Sequence, residues 1–176
     1  MKKNHFFIIS FLFFTSFGSL KAEIADSSAY GFTVKQTLLI PSMTADSVYY
    51  HFLKDVGKWW DPEHTWSGDA NNMSITVSQN GGCFCERLKN GGIVRHMSVI
   101  YADPGKKLRM SGGLGPLQEM AVNGVMTISL YKKDEGVEVE MVYAVGGYSK
   151  FPLAKIAMIV DMVLAQQMKR FQAFCK

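Results

Sequence analysis

Apolar and polar residues alternate most regularly in the later part of the chain. Val122, Gly124, Met126, Ile128 and Leu130 share one parity, and Asn123, Thr127, Ser129 and Tyr131 share the other. Val137, Val139, Met141, Tyr143 and Val145 alternate in the same way with Glu138 and Glu140. A period of two with one apolar face predicts antiparallel strands covered on one side. Upstream, Gln79-Asn80-Gly81-Gly82, Asn90-Gly91-Gly92, Asp103-Pro104-Gly105 and Asp134-Glu135-Gly136 separate short segments, so the stretch from Pro62 to Gly147 reads as a meander of hairpins. Before it, a strand is predicted over residues 32–40, ended by Pro41. Ser42 or Thr44 then caps a helix that reaches about Leu53 and turns Val48, Phe52 and Leu53 inward. Between Ile93 and Ala102 parity gives no answer, because the face with Met97, Val99 and Tyr101 also carries Arg95, and the direction of His96 stays open.

Over residues 152–176 the period lengthens to that of a helix. Leu153, Ile156, Val160, Val163, Leu164, Phe171 and Phe174 form one stripe, with Lys155, Gln166, Lys169 and Arg170 opposite. Met158, Ile159 and Met162 project on the side of the lysines as a small apolar patch, a candidate contact for a homodimer or a ligand. Strands closed by one long helix predict an α+β fold in which a curved antiparallel sheet wraps the C-terminal helix. That arrangement can leave a cavity between the two layers.

The N-terminus adds a compartment. Lys2 and Lys3 precede an apolar run from Phe6 to Phe17, broken by Ser10, Thr15 and Ser16, and Gly18-Ser19-Leu20-Lys21-Ala22 follows. This is the layout of a secretory signal peptide over residues 1–22. The run is shorter than the ~20 residues of a membrane span. Lys155 and Asp161 interrupt the later apolar stretch, so no stable span is expected once the signal is removed. The expected location is the periplasm of a Gram-negative cell, or the exterior otherwise. Residues 23–30 read as a leader and 31–176 as one domain with one core. Three of the 19 basic residues fall in the signal, which leaves a formal charge of +1 against the 15 acidic residues. A nucleic-acid footprint is not expected from such a balance.

Cys83, Cys85 and Cys175 would meet oxidising conditions after export. Cys83 and Cys85 alternate along one strand, where neighbouring thiols bridge only by distorting it, while Cys175 falls on the core side of the last helix. The candidate disulfide is therefore Cys175 with Cys83 or Cys85, against three unpaired buried thiols. Zinc ligation by Cys83, Cys85 and His96 has poor spacing and no second ligand pair, so no metal is expected. Glu86 and His96 lie on strands joined by a short turn and are the candidate catalytic pair; burial would raise the carboxyl pKa, and the imidazole can exchange protons near neutrality. Trp59, Trp60 and Trp66 form the densest aromatic cluster. They suit either stacking on a ring-bearing ligand or anchoring a helix to the sheet. The stretch Gly112-Gly113-Leu114-Gly115-Pro116-Leu117 lacks the spacing of a phosphate loop and reads as an edge or lid. No cofactor motif is present.

Lys58-Trp59-Trp60-Asp61-Pro62, Gly81-Gly82-Cys83-Phe84-Cys85-Glu86 and Tyr101-Ala102-Asp103-Pro104-Gly105 occur in that order between the opening strand and the closing helix. In this layout the chain resembles the START-like helix-grip superfamily, also called SRPBCC. Its closest likeness there is to the branch resembling activators of the heat-shock chaperone ATPase and polyketide cyclases. The resemblance covers roughly Gly31 to Phe174 and implies a sheet of about six or seven strands gripping the last helix. It also implies an apolar tunnel of the kind that holds lipids, sterols, polyketides or plant hormones. Chaperone activation needs a cytosolic ATP-driven partner and fits an exported chain badly. The leading expectation is an exported binder of a small apolar molecule, lined or gated by Trp59, Trp60, Trp66, Met126, Met141 and Tyr143. The alternatives are a cyclase or dehydratase using Glu86 and His96, and a protein-interaction module.

Overall fold

Alternation governs the sheet. In the computed structural model, which describes residues 19–176, β2 (Gly31–Pro41) buries every second side chain, and β8 (Gly136–Gly147) pairs with it along its whole length from Gly31 opposite Gly146 to Pro41 opposite Gly136. The signal segment expected over residues 1–22 lies outside the described residues except for its last four. With β1 (Lys21–Ser27), β3 (Met73–Ile75), β4 (Cys83–Arg87), β5 (Ile93–Asp103), β6 (Lys107–Ser111) and β7 (Val122–Lys133), these strands form one open antiparallel sheet in the order β1-β2-β8-β7-β6-β5-β4-β3. The α+β class is as expected, but among the described residues the strands number eight rather than about six or seven. They include the short β3 and the edge strand β1, in which Lys21 and Ala22, expected in the signal, pair with Thr37 and Gln36, and residues 23–27, expected in the leader, join the ladder.

Thr44 is the residue that caps α1 (Ala45–Lys54): its side chain accepts a hydrogen bond from the Ser47 amide at 3.2 Å, with Asp46 in the first turn and Lys54 in the last. A single turn, α2 (Val56–Trp59), follows, and Asp61-Pro62 ends it in a tight turn over Pro62–His64. The closing helix α3 (Ala154–Phe174) packs on β2, β1 and α2. Its first turn is tied down where the Leu153 and Ala154 amides donate to the carbonyls of Ala29 and Ser28, each at 3.0 Å.

The core lies between sheet and helix and joins Phe32, Val34, Leu38 and Ile40 of β2, the inward residues of β7 and β8, Phe52 and Trp59, and Leu164, Met168 and Phe171 of α3. The parity predicted for β7 and β8 holds, with Met126, Ile128, Val139, Met141 and Tyr143 all buried. Gly124 is required where it stands, since a Cβ there would lie 2.3 Å from the ring of Tyr143. That ring crosses to the next loop, where its hydroxyl donates to the Gly112 carbonyl at 3.0 Å and accepts from the Leu114 amide at 3.3 Å.

Candidate functional site

A pocket of about 310 Å³ lies among α3, residues 60–66 and residues 114–116, with His96 reaching it from the sheet. Three pieces of chain make its walls. Val160, Val163 and Leu164 of α3, with Ile159 at the rim, form one side; Trp60 and residues 63–66 form the second; Leu114, Gly115 and Pro116 form the roof. The wall with Trp60 is held by the helix itself. Gln167 Oε1 accepts the Asp61 amide at 2.8 Å, Gln166 Nε2 donates to Asp61 Oδ2 at 2.6 Å, and Arg170 Nε donates to the Trp59 carbonyl at 2.9 Å. The roof is the glycine-rich stretch read from sequence as a lid, and Tyr143 anchors it from below.

Glu63, His64 and Thr65 give the second wall polar groups, and His96 reaches the cavity from the sheet because of an irregularity of β5. Phe84 pairs with Met97 and Cys85 with Arg95, so His96 is the extra residue of a β-bulge and both His96 and Met97 turn inward. His96 Nε2 lies 3.0 Å from Glu86 Oε2, and His96 Nδ1 lies 3.3 Å from Gln118 Nε2. An amide NH₂ can only donate, so Nδ1 is the acceptor, and the Nε2–H donates to the carboxylate. Glu86 is further satisfied by the backbone amides of Trp66, at 3.1 Å, and Ser67.

Electrostatics follow from that enclosure. Burial pushes the Glu86 carboxyl up, but the Ser67 and Trp66 donors with His96 outweigh it and hold the group below its ordinary value. Burial lowers the His96 pKa, and the neighbouring Glu86 only partly restores it. The pair is therefore a buried carboxylate and a neutral imidazole. Sequence reasoning expected burial to raise the carboxyl; the two amide donors reverse that.

The arrangement separates the predicted site residues. Trp60, Trp66 and His96 line the cavity. Glu86 stands behind His96, where it can orient the ring without touching a ligand. Trp59 does not line the cavity: it is enclosed by Phe52, Trp60 and Phe171, with ring centroids at 5.1, 5.7 and 5.1 Å. Met126, Met141 and Tyr143 also lie away from it, because their part of the sheet is filled by core side chains. Gln118, Gln166, Gln167, Arg170 and Val163 are parts of the site that sequence reasoning did not assign to it. Gln167 carried a signal, being a polar residue inside the apolar stripe between Leu164 and Phe171. Met158, Ile159 and Met162 are exposed as expected, and Ile159 forms part of the cavity rim.

The cysteines pair differently from expectation. Cys83 and Cys85 are joined to each other, with Cα atoms 5.5 Å apart, and Cys175 is a free, buried thiol whose pKa burial pushes up to about 12. The bond sits on the outer face of β4, with Phe84 and Glu86 on the inner face, and the ladder slips between Phe84 and Cys85. That local irregularity is the distortion which sequence reasoning took as an obstacle. Among the described residues no group of three or more His, Cys, Asp or Glu side chains is placed to hold a metal ion.

No family model matches the chain, and no curated protein does. Solved structures do match. A protein from Rhizobium leguminosarum aligns with a TM-score of 0.59 at 10% identity, covering 89% of this chain and 97% of that one. MLL2253 from Mesorhizobium loti gives 0.54 at 16% identity, over 80% and 94% of the two chains. The di-domain ARO/CYC StfQ of the steffimycin biosynthetic pathway gives 0.55 at 11% identity, and this chain, 84% of which is covered, spans 51% of it. The likeness is one of fold. At these identities it bears on the arrangement of an antiparallel sheet with a C-terminal helix, and assigns neither a family nor an activity.

Proposed function

We propose that the chain is an exported binding protein for a small apolar, ring-bearing molecule held between Trp60, the 114–116 roof and α3. The observation that carries this reading is the composition of the cavity wall. Trp60, Leu114, Pro116, Val160, Val163 and Leu164 make most of the wall, Glu63, His64 and Thr65 add polar groups on the side of residues 63–66, and His96 has both ring nitrogens engaged. A volume of about 310 Å³ is at the small end of ligand pockets. Trp66, exposed beside Ile159, supplies an aromatic face at the mouth. Export is supported by the layout of residues 1–22. The test is a fluorescence titration with an anilinonaphthalene dye against wild type and Val163→Trp, which fills the space. A loss of at least tenfold in affinity with an unchanged circular dichroism spectrum supports the cavity as the site; equal binding overturns it.

A second reading, proton abstraction next to a carbonyl in the manner of a cyclase, is supported by the Glu86–His96 pair and by the ARO/CYC naming of StfQ, whose fold is similar. In it His96 Nδ1 becomes the base when a substrate displaces Gln118, and Glu86 is a positioning residue that holds the tautomer. Deuterium exchange at the central carbon of a β-diketone, followed by NMR, tests it. Exchange faster than buffer and lost in His96→Gln supports the reading; buffer-rate exchange contradicts it. Self-association through Met158, Ile159 and Met162 is a further proposal, resting on their exposure. A concentration-dependent mass in sedimentation, abolished by Met158→Glu, supports it, and a constant monomer overturns it.

A further inference from the structure

The Cys83–Cys85 bond is poorly designed as a staple. It encloses one residue, Phe84, and a disulfide restricts an unfolded chain less the shorter the loop it closes. It also interrupts regular structure: its Cα atoms are 5.5 Å apart, where two residues of extended chain span about 6.6–7.2 Å, and the β4–β5 ladder slips at that point. Its surroundings suit reaction better. Both cysteines are half-buried on the outer face, so a reagent can approach them. Arg95 stands directly opposite Cys85, and Arg87 is the next residue on the same face of β4. Two guanidinium groups on one side of a disulfide favour a thiolate there. Thr76 Oγ1 lies 3.9 Å from Cys83 Sγ. Arg95 and Ser98, the cross-strand neighbours of Cys85 and Cys83, line a depression of about 360 Å³ that also includes Ser111 and Gln118.

We propose that Cys83–Cys85 is a thiol–disulfide exchange site that accepts two electrons from a dithiol seated on this outer face. A thiolate of the dithiol attacks Cys83 Sγ; the Sγ–Sγ bond breaks and Cys85 leaves as a thiolate facing Arg95 and Arg87. The second thiol of the reagent, once deprotonated, attacks the reagent's own sulfur in the mixed disulfide and expels Cys83. The dithiol gives up two electrons and two protons and becomes a disulfide, and the two cysteines end as thiols once protonated. Cys175, buried and remote in sequence, takes no part. The exchange site stands independently of the ligand reading, but it bears on the cavity, because the enclosed residue Phe84 packs on Trp60 at 5.1 Å and on His96 at 5.2 Å.

The test uses the oxidised protein as produced from the full chain, treated with dithiothreitol under native conditions, quenched with iodoacetamide at intervals and weighed. The expected result is alkylation of Cys83 and Cys85 but not Cys175, with the circular dichroism spectrum retained and the reaction reversed by oxidised glutathione. Arg95→Gln and Arg87→Gln, both surface changes, slow reduction, because a leaving thiol of higher pKa departs more slowly. A disulfide that reacts only after unfolding in urea, or arginine variants that react at the wild-type rate, would overturn the proposal. Tryptophan emission is expected to shift on reduction, and an unchanged spectrum would overturn the link to the cavity.

Discussion

Removing the Glu86 carboxylate should be among the most damaging single changes in this protein. It receives N–H groups from His96, Trp66 and Ser67, and it is 1% exposed. Glu86→Ala leaves three donors without an acceptor. Each buried unsatisfied donor costs about 1–3 kcal/mol, and water entering the space recovers part of the total, so a loss of about 3–5 kcal/mol is expected. Glu86→Gln is nearly isosteric and keeps one carbonyl oxygen for the Ser67 amide, while its NH₂ faces His96. The ring can adapt by moving its proton to Nδ1 and donating to a flipped Gln118, which leaves the Trp66 amide as the group short of a partner. A cost of about 1–2 kcal/mol follows. Urea denaturation of the two variants, with ¹⁵N chemical shifts of the imidazole, checks both statements. The reasoning is refuted if Glu86→Ala costs less than about 1 kcal/mol, if the two variants are equally unstable, or if the His96 tautomer is unchanged in Glu86→Gln.

Acid should weaken the fold in two stages. His96 is held below its ordinary 6.5, so the unfolded chain takes up a proton first: its contribution is complete above about pH 6.5 and declines as pH falls towards the folded value. Glu86, held below 4.5, adds a contribution present above that pH and lost as pH falls through its lower folded value. Urea midpoints at pH 8 and pH 5.5 should therefore differ more in wild type than in His96→Gln; equal differences would contradict the assignment. Gly124→Ala drives a methyl into the hydroxyl end of the buried Tyr143 ring and should cost about 1–3 kcal/mol by thermal denaturation, whereas a neutral result would mean that the ring moves freely. Trp59→Ala should cost about 3–5 kcal/mol without a selective loss of dye binding, while Val163→Trp should abolish binding at little cost in stability; the reverse pattern would place the site elsewhere.

What could be read in advance depended on how local each cause was. The strands β2, β7 and β8, a cap at Ser42 or Thr44 and the stop at Asp61-Pro62 follow from short-range patterns, and the structure has them, with Thr44 as the cap; on α3 the expected Leu153, Leu164 and Phe171 are buried, but Ala157, Gln167 and Met168 join them and Val160 and Val163 line the cavity. The site depended on longer-range facts. A bulge with no glycine to mark it sets the direction of His96, so parity could not decide it. Met126, Met141 and Tyr143 were correctly turned inward, yet whether an inward residue meets core or cavity depends on how α3 and the loops pack over the sheet. The clamp of Gln166, Gln167 and Arg170 on residues 59–61 joins positions more than a hundred residues apart and has no local signature beyond one glutamine in an apolar stripe. The Cys83–Cys85 pair was set aside because an ideal strand forbids it, and the strand here is not ideal.

The central claim is that the space beside Trp60 is occupied in the working protein. Native mass spectrometry on protein exported by its own signal, with wild type and Val163→Trp compared, tests it most directly. The account predicts a discrete added mass on the wild type that leaves on denaturation and is missing from the variant. A bare wild-type protein, or an added mass that Val163→Trp retains, would contradict it.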